Sequence, residues 1–238
     1  MTIYDEKQLA GCIDHTLLSS TATSEQIKKL CQQARDYGFC SVFVNPRWIA
    51  LAAEELQGCG VKIGSIVSFP LGAESTKIKA AQAEDCIFAG ADEVDMVADL
   101  AAIIEGDAKY LSNQLKAVLK VCRSMKPAVC LKVIIEAAAL TREQKIFVCQ
   151  IANEVGIDFV KTSTGMNPVG GATIEDVKLM KEYAPNCKVK ASGGIRTAKQ
   201  ALEMLDAGAD RIGTSSGVEI ITQWRKPSLT GFRAGQLQ

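Results

Sequence analysis

The sequence has little of what several functional classes need. It contains one histidine, His15, and only 5% aromatic residues. A single imidazole excludes His-rich zinc and di-iron sites and any mechanism with two imidazoles. The low aromatic content disfavours a base-stacking surface. Lys+Arg and Asp+Glu number 27 each, so no net charge attracts nucleic acid or an anionic membrane, and we expect neither as a partner.

Long hydrophobic runs are also missing. No stretch approaches the roughly 18 apolar residues of a membrane span. Residues Met1–Leu9 include Asp5, Glu6 and Lys7, without the apolar core of a signal peptide. The nine cysteines are odd in number and never spaced as Cys-x-x-Cys, which predicts reduced, buried thiols. These features predict a cytoplasmic protein, and we expect neither a bound metal nor a cofactor.

Short β-branched runs alternate with amphipathic stretches along all 238 residues. This alternation is typical of βαβ units around a parallel sheet. Eight units of about 30 residues each are what a (β/α)₈ barrel with short loops requires. We therefore predict one TIM-barrel domain covering residues 1–238. The predicted strands are Cys12–Asp14, Phe39–Val44, Val61–Val67, Glu93–Val97, Val129–Ile135, Ile157–Lys161, Lys188–Ala191 and Arg211–Gly213.

Helix signals separate these strands. The clearest helix is Ser24–Tyr37, with Ser24 as its cap and Gly38 at its end. Helices are also predicted over Thr141–Val155 and Thr197–Ala207. An open doubly wound sheet has the same alternation, but no Gly-x-Gly-x-x-Gly or P-loop motif follows the early strands. Glycine-rich loops instead follow the last two strands, where barrels commonly bind phosphate, and this favours a closed barrel.

Charged residues occur where a barrel interior is expected. Because strand side chains alternate between faces, the apolar neighbours of Asp95 and Lys132 leave these two side chains pointing inward. Lys132, Lys161 and Lys190 are spaced 29 and 29 residues apart, one βα unit each. One interpretation is a structural ion-pair network in which Asp14, Asp95 and Glu136 neutralise the lysines. The other is an active site at the carboxyl ends of the strands.

Carbonyl chemistry is the function that such residues support. A lysine crowded by other cations in a dry cavity has a lowered pKa, so more of it is a free amine near neutral pH. A free amine attacks a carbonyl group and forms a Schiff base. The resulting iminium withdraws electrons from the neighbouring carbon and promotes aldol chemistry, with a carboxylate for proton transfer.

Eight segments of the sequence resemble the deoxyribose-phosphate aldolase family, from Ile13 to Gly217. They are Ile13–Leu18, Val44–Arg47, Phe69–Gly72, Val94–Val97, Leu131–Glu136, Lys161–Gly165, Val189–Thr197 and Arg211–Ser216. The resemblance implies a class I aldolase on a (β/α)₈ barrel. Such an enzyme cleaves 2-deoxy-D-ribose 5-phosphate reversibly into D-glyceraldehyde 3-phosphate and acetaldehyde, in deoxyribonucleoside catabolism. Its partners are then small sugar-phosphate and aldehyde substrates, and a homo-oligomer is compatible with the sequence.

The resemblance also assigns roles to individual residues. Lys161 forms the Schiff base, Lys190 lowers the pKa of that nucleophile, and Asp95 moves protons through a water. Lys132 and Asp14 match supporting polar positions near this relay.

We interpret His15 as a structural residue. Four positions depart from the family. Met166 follows the Lys-Thr-Ser-Thr-Gly motif where several members carry Lys or Phe, and Gly235–Gln238 lacks a terminal tyrosine. Phe43 stands where a cysteine is common, and Asp99 where Asn is frequent.

The glycine-rich loops are the predicted phosphate site, since glycines let the backbone approach a dianion and a helix starting near Ser216 would point its N-terminus at it. The predicted phosphate-binding residues are Gly165, Gly193, Gly194, Arg196, Gly213, Ser215 and Ser216. Two other functions stay open: a different phosphate-binding barrel enzyme, such as an isomerase, and a catalytically silent sugar-phosphate-binding barrel.

Overall fold

The computed structural model describes residues 4–124 and 126–225. Eight parallel strands close into a barrel in sequential order, with the first strand paired to the eighth, which confirms the predicted (β/α)₈ fold. The strands are β1 (Ile13–Leu17), β2 (Ser41–Val44), β3 (Lys62–Val67), β4 (Glu93–Val97), β5 (Cys130–Ile134), β6 (Phe159–Lys161), β7 (Lys188–Ser192) and β8 (Arg211–Thr214). The segment Gly235–Gln238, noted for its missing tyrosine, lies outside the described residues.

Helices surround the barrel on its outer face. They are α1 (Glu6–Ala10), α2 (Ser24–Tyr37), α3 (Ile49–Glu55), α4 (Thr76–Phe88), α5 (Leu100–Glu105), α6 (Ala108–Ser124), α7 (Arg142–Val155), α8 (Ile174–Tyr183), α9 (Ala198–Asp206) and α10 (Gly217–Trp224). Short 3₁₀ helices occur at Pro46–Trp48 and Ala137–Ala139. Across residues 4–124 and 126–225, no helix combines the length and the apolar character needed to cross a membrane.

All eight predicted strands are present, with ends that move by a few residues. The largest difference is at β1, which ends at Leu17 rather than Asp14. The strand is longer because Asp14 to Leu17 pair with Ser41 to Val44 of β2. This extension carries Thr16 and Leu17 to the carboxyl end of the barrel, where the pocket described below opens.

Helix α2 spans the predicted residues, but its cap is not Ser24. The N-cap is Thr23, whose side chain accepts from the backbone N–H of Gln26 while the Gln26 side chain accepts from the N–H of Thr23. This reciprocal capping box leaves Ser24 as the first helical residue. Gly38 ends the helix in the left-handed conformation, at φ 67°, as predicted. The same Thr-x-x-Gln box begins α7 and α9.

The amino-terminal end of the barrel is held by three residues that we call the aspartate clasps: Asp92, Asp158 and Asp210. Each comes immediately before an even-numbered strand and two residues after a glycine. The Oδ2 atom of each aspartate accepts a hydrogen bond from a backbone N–H of the preceding odd-numbered strand. A basic side chain also forms an ion pair with each aspartate. The backbone donors are Ile63, Leu131 and Val189, at 2.9, 2.9 and 2.8 Å, and the cations are Lys62, Arg123 and Lys181. Cys40 occupies the corresponding position before β2.

Apolar side chains fill the space between the barrel and the helices as one continuous core. The inside of the barrel differs, because charged side chains occupy it. Asp14, Asp95 and Lys132 are completely buried there, and Lys161 and Lys190 are at most 4% exposed. Burying so many charges costs several kcal/mol unless they are paired, so their partners decide what the interior does.

Candidate active site

A cavity of about 360 Å³ opens at the carboxyl ends of the strands. Its walls come from the loops after β1, β6, β7 and β8, and the side chain of Lys161 lines it. Six of the seven predicted phosphate-binding residues also line it: Gly165, Gly193, Gly194, Arg196, Gly213 and Ser215. Ser216 lies just outside this lining, where its backbone N–H donates to Thr214 Oγ1 at 2.9 Å.

Asp95 connects the three predicted lysines beneath this cavity. Its Oδ2 accepts from Lys161 Nζ at 2.7 Å and from Lys190 Nζ at 2.8 Å. Its Oδ1 accepts from Lys132 Nζ at 3.1 Å. The strand register produces this arrangement, because Asp95 pairs with Lys132 across β4 and β5 and Lys161 pairs with Lys190 across β6 and β7. The prediction that these four side chains meet inside the barrel is confirmed.

Asp14 forms a second carboxylate centre on β1. Lys190 Nζ lies 2.6 Å from its Oδ2, so Lys190 is shared between Asp14 and Asp95. Asp14 Oδ1 accepts from Arg211 at 2.6 Å and from Ser41 Oγ at 2.6 Å. Asp14 is therefore a second carboxylate partner of Lys190 beside Asp95.

Two charged residues that the sequence analysis did not include complete the cluster. Glu93 Oε2 lies 2.5 Å from Lys132 Nζ, and Arg211 lies 3.5 Å from the same Glu93 oxygen. Among the described residues, the cluster thus joins four basic side chains to three carboxylates, and one positive charge is in excess if every lysine is protonated. The four basic residues are Lys132, Lys161, Lys190 and Arg211, and the carboxylates are Asp14, Glu93 and Asp95.

The surrounding charges keep Asp95 and Asp14 ionised. Burial favours the neutral form of Asp95, but the positive charges of Lys132, Lys161 and Lys190 outweigh it and hold the pKa well below its usual range. Burial is likewise outweighed at Asp14, whose pKa is lowered by Lys190, Lys132 and Arg211. Burial also disfavours the charged form of Lys132, but Asp95, Glu93 and Asp14 raise its pKa above the usual value.

Lys161 has a lowered pKa, unlike Lys132 and Arg211 of the same cluster. Burial lowers its pKa from 10.5 to about 8, and Lys190 and Lys132 add to this lowering while Asp95 opposes it. The direction of the shift agrees with the prediction, which named both a dry cavity and neighbouring cations as its causes. Burial is the largest contribution, and the opposing effect of Asp95 exceeds that of either neighbouring lysine. When Lys161 is neutral, three positive and three negative charges remain in the cluster.

Glu136 does not pair with the lysines, contrary to the ion-pair interpretation of the sequence. It is buried at the end of β5, and its carboxylate accepts from the backbone N–H and the hydroxyl of Thr164 at 3.1 and 2.6 Å. Thr164 Oγ1 in turn accepts from the N–H of Met166 at 3.1 Å. Glu136 does not pair with the lysines because it lies beyond the end of β5, at φ 51°, and faces the loop after β6. Glu136 therefore shapes the loop that follows Lys161.

The Gly-Gly loop after β7 packs tightly on the loop after β6. Gly193 has φ 92°, and its carbonyl oxygen accepts from the N–H of Ala172 at 3.1 Å. A Cβ on Gly171 would lie 2.2 Å from that oxygen, so only glycine allows the two chains to come this close. This contact leaves backbone groups of the loop facing the cavity.

His15 lies outside the cavity lining, which agrees with its interpretation as a structural residue. Its Nε2 is 2.9 Å from Gln33 Oε1 on α2, and its ring packs on Phe39 with 4.9 Å between centroids. Burial lowers the pKa of this imidazole, so it is neutral near pH 7. The side chain joins β1 to the helix layer.

A buried lysine with a lowered pKa, facing the mouth of a closed barrel, is the arrangement of enzymes that act on carbonyl compounds. Fold and site together define the class of (β/α)₈-barrel aldolases.

Comparison with known proteins agrees with this class. The family model for DeoC/LacD family aldolases matches residues 9–223. A deoxyribose-phosphate aldolase of Geobacillus sp. (strain WCH70) is 50% identical over 217 residues, which are 91% of this chain and 96% of the relative. One from Caldanaerobacter subterraneus subsp. tengcongensis is 47% identical over 93% of this chain and 95% of its own length.

A solved structure shows the same architecture. The deoxyribose phosphate aldolase from Aeropyrum pernix, described as having a unique tetrameric structure, superposes with a TM-score of 0.86. It is 32% identical, and the match covers 93% of each chain. The chain described here belongs to the DeoC/LacD family of aldolases, and it is therefore an aldehyde-lyase.

Proposed function

We propose that this protein cleaves 2-deoxy-D-ribose 5-phosphate reversibly into D-glyceraldehyde 3-phosphate and acetaldehyde through a Schiff base on Lys161. The observation that carries the proposal is the placement of Lys161. It lines the cavity, its pKa is lowered to about 8, and its Nζ lies 2.7 Å from the ionised Asp95. About a tenth of this amine is therefore free at pH 7 and about half at pH 8, and the free amine attacks an aldehyde.

The first steps make the imine. The lone pair of Lys161 Nζ attacks C1 of the open-chain sugar, and the carbonyl oxygen leaves as water after proton transfer. The iminium nitrogen then carries the positive charge that the protonated lysine would have carried. Asp95 is the nearest carboxylate and stabilises that charge, while Lys132 and Lys190 keep Asp95 ionised.

The next step breaks the bond between C2 and C3. Its electron pair moves into the iminium and gives an enamine, and the C3 hydroxyl loses its proton as glyceraldehyde 3-phosphate forms. We propose that Asp95 accepts this proton through a water and returns it to C2. Formation of the uncharged enamine removes one of the cations that lower the pKa of Asp95, so the carboxylate becomes more basic when a proton must be held. Hydrolysis of the remaining imine releases acetaldehyde and Lys161.

The phosphate is proposed to bind at the glycine-rich loops. Gly193, Gly194, Gly213 and Ser215 bring backbone N–H groups to the cavity wall, and Arg196 supplies a positive charge. Helix α10 starts at Gly217, and its N-terminus favours a nearby anion. Met166 lines the cavity without a charge, so these groups hold the dianion without a lysine at that position.

Location and assembly follow as further proposals. All nine cysteines are free thiols, which fits a reducing compartment such as the cytoplasm. The tetrameric description of the Aeropyrum pernix relative supports a homo-oligomer. We also propose that residues 1–238 form a single domain with small-molecule substrates as its ligands.

Reductive trapping tests the imine. Incubation with acetaldehyde and borohydride is expected to add a two-carbon group to Lys161, located by mass spectrometry of the digested protein. Lys161→Met is the control that must lose this adduct. If the protein turns over no deoxyribose 5-phosphate and traps nothing at Lys161, it is instead a catalytically silent sugar-phosphate-binding barrel or another phosphate-binding barrel enzyme, such as an isomerase.

A pair of neighbouring variants tests the phosphate site. Ser215→Asp places a like charge in the cavity lining and is expected to raise KM for deoxyribose 5-phosphate about ten- to hundredfold, because one charge-assisted hydrogen bond is worth about 1.5–3 kcal/mol. It should spare cleavage of unphosphorylated deoxyribose. Ser216→Asp places the charge at the N-cap of α10, just outside the lining, and should also raise KM for the phosphorylated substrate. A larger effect at Ser216 than at Ser215 would place the phosphate closer to the N-terminus of α10.

A further inference from the structure

One phenylalanine faces all three lysines of the cluster. Phe43 lies on β2 and is 1% exposed. Its ring centroid is 3.6 Å from Lys190 Nζ, 4.6 Å from Lys132 Nζ and 5.9 Å from Lys161 Nζ. Three ammonium groups therefore surround a single aromatic ring inside the barrel.

Gly64 makes this position of the ring possible. Phe43 and Gly64 are direct partners in the pairing of β2 with β3. A Cβ on Gly64 would lie 2.2, 2.4 and 2.5 Å from three atoms at the outer edge of the Phe43 ring. Any side chain at position 64 would displace the ring from the lysines.

The ring has two physical effects on its neighbours. Its negative face attracts an ammonium group, most strongly Lys190 because that distance is the shortest. The ring also occupies space within the lysine cluster that water would otherwise fill. Burial is the largest cause of the lowered pKa of Lys161, and a saturated side chain of smaller volume would preserve neither effect fully.

We propose that Phe43, held against Gly64, is a positioning residue that holds Lys190 in place and keeps water away from Lys161. This inference rests on the proposed Schiff-base function and adds a residue that acts through the two lysines rather than on substrate. The other charged groups around the lysines are Asp14 of β1, Glu93 and Asp95 of β4, Lys132 of β5 and Arg211 of β8.

Phe43→Leu tests the proposal through the pH dependence of imine trapping. Wild type should trap acetaldehyde on Lys161 with a midpoint near pH 8. Leucine stays apolar but has no aromatic face and leaves room for water, so the pKa of Lys161 should rise. We expect the midpoint to move up by about one pH unit and trapping at pH 7 to slow about tenfold.

Phe159→Leu is the matched control. Phe159 is also buried inside the barrel, on β6, but its ring faces Lys132, Lys188 and Arg211 at 5.5 to 5.7 Å. The same substitution there should lower stability by a similar amount and leave the trapping midpoint unchanged. Thermal unfolding of both variants separates loss of fold from the change in pH dependence.

Gly64→Ala leaves Phe43 unchanged in sequence but adds a methyl group that clashes with its ring. It should raise the trapping midpoint in the same direction as Phe43→Leu. The double variant Phe43→Leu, Gly64→Ala should shift little beyond Phe43→Leu alone, because the smaller leucine leaves room for the new methyl group.

Three results separate failure of this inference from failure of the proposed function. If wild type traps aldehyde on Lys161 and folded Phe43→Leu keeps the same midpoint, the role of Phe43 is wrong and the Schiff base stands. If Phe159→Leu shifts the midpoint equally, the effect belongs to barrel packing in general. If wild type traps nothing, the proposed function itself fails.

Discussion

Two buried lysines of this barrel, Lys161 and Lys79, have the same lowered pKa of about 8 but very different surroundings. Burial is the largest cause of the shift in both. Lys79 is on α4, and its Nζ donates to the carbonyl of Val97 and to Gln114 Oε1 of α6, each at 2.9 Å. Both acceptors are uncharged, and Lys79 has no exposed surface.

Lys161 combines the lowered pKa with access and with a carboxylate. It lines the cavity and shares Asp95 with two other lysines. The comparison shows that a lowered pKa alone does not identify a nucleophile. An amine also needs a path for the substrate and a nearby charge that stabilises the iminium, and among these two lysines only Lys161 has both.

The largest expected effect is the difference in catalytic activity between a variant of Lys161 and a variant of Lys79. Lys161→Met should lower kcat/KM for deoxyribose 5-phosphate by more than about 10³-fold, because it removes the nucleophile. Lys79→Met should keep the wild-type kcat, since methionine has a similar shape and neither Lys79 nor its hydrogen-bond partners Val97 and Gln114 line the cavity. Steady-state kinetics of both variants checks this. Equal losses would mean that the buried amine of α4 takes part in catalysis.

A smaller effect is expected from the cation beside Lys161. Lys190→Leu removes a positive charge that lowers the pKa of Lys161, so the pH at which activity rises should move upward by about one to two units. Activity at pH 7 should then fall about ten- to hundredfold. The control is Lys188→Leu, two residues earlier on β7, which does not contact Asp95. An unchanged pH profile in Lys190→Leu would contradict this role.

A separate effect concerns the pH dependence of stability and involves Lys79 alone. Its pKa is about 8 in the folded protein and about 10.5 when unfolded, so the unfolded chain holds more protons between these values. The unfolding free energy therefore carries a penalty below pH 8 that is relieved as the pH rises to 10.5, by about 1.4 kcal/mol per unit.

Lys79→Met should remove this part of the pH dependence. It also leaves Gln114 without its donor, a cost of about 1–3 kcal/mol that does not vary with pH. Urea unfolding at several pH values between 7 and 10 separates the two contributions. If wild type and variant show the same pH slope, Lys79 is not the group that titrates.

Much of the site was predictable because it repeats with the fold. The 29-residue spacing of Lys132, Lys161 and Lys190 placed them on consecutive strands, and strand alternation put Asp95 on the inner face. The same alternation places Glu93, two residues before Asp95 on β4, on the inner face as well, but Glu93 was not predicted as a site residue. Arg211 was not predicted as a site residue because it is the first residue of β8. The inward direction of its side chain follows from its pairing with Lys190 across β7 and β8.

Other features needed the three-dimensional structure. Lys79 follows a helix start in a stretch that also contains Lys77, so the sequence gives no reason to bury it. Phe43 is one of several apolar residues of β2, and only the closed barrel shows that its ring faces the lysines. Glu136 shared a predicted face with Lys132, but the strand ends before it and its side chain turns to Thr164.

The aspartate clasps have a consequence for how the barrel opens. They join β3 to β4, β5 to β6 and β7 to β8, each with a carboxylate between the two strands. Cys40 occupies the equivalent position between β1 and β2. Burial raises its pKa to about 11, so this position holds a neutral thiol in place of a carboxylate. The backbone amides of β1 and β2 should therefore exchange with deuterium first, through local opening of this strand pair. Asp14 and Phe43 lie on these two strands, so the strand pair that is expected to open first carries part of the charge network around Lys190.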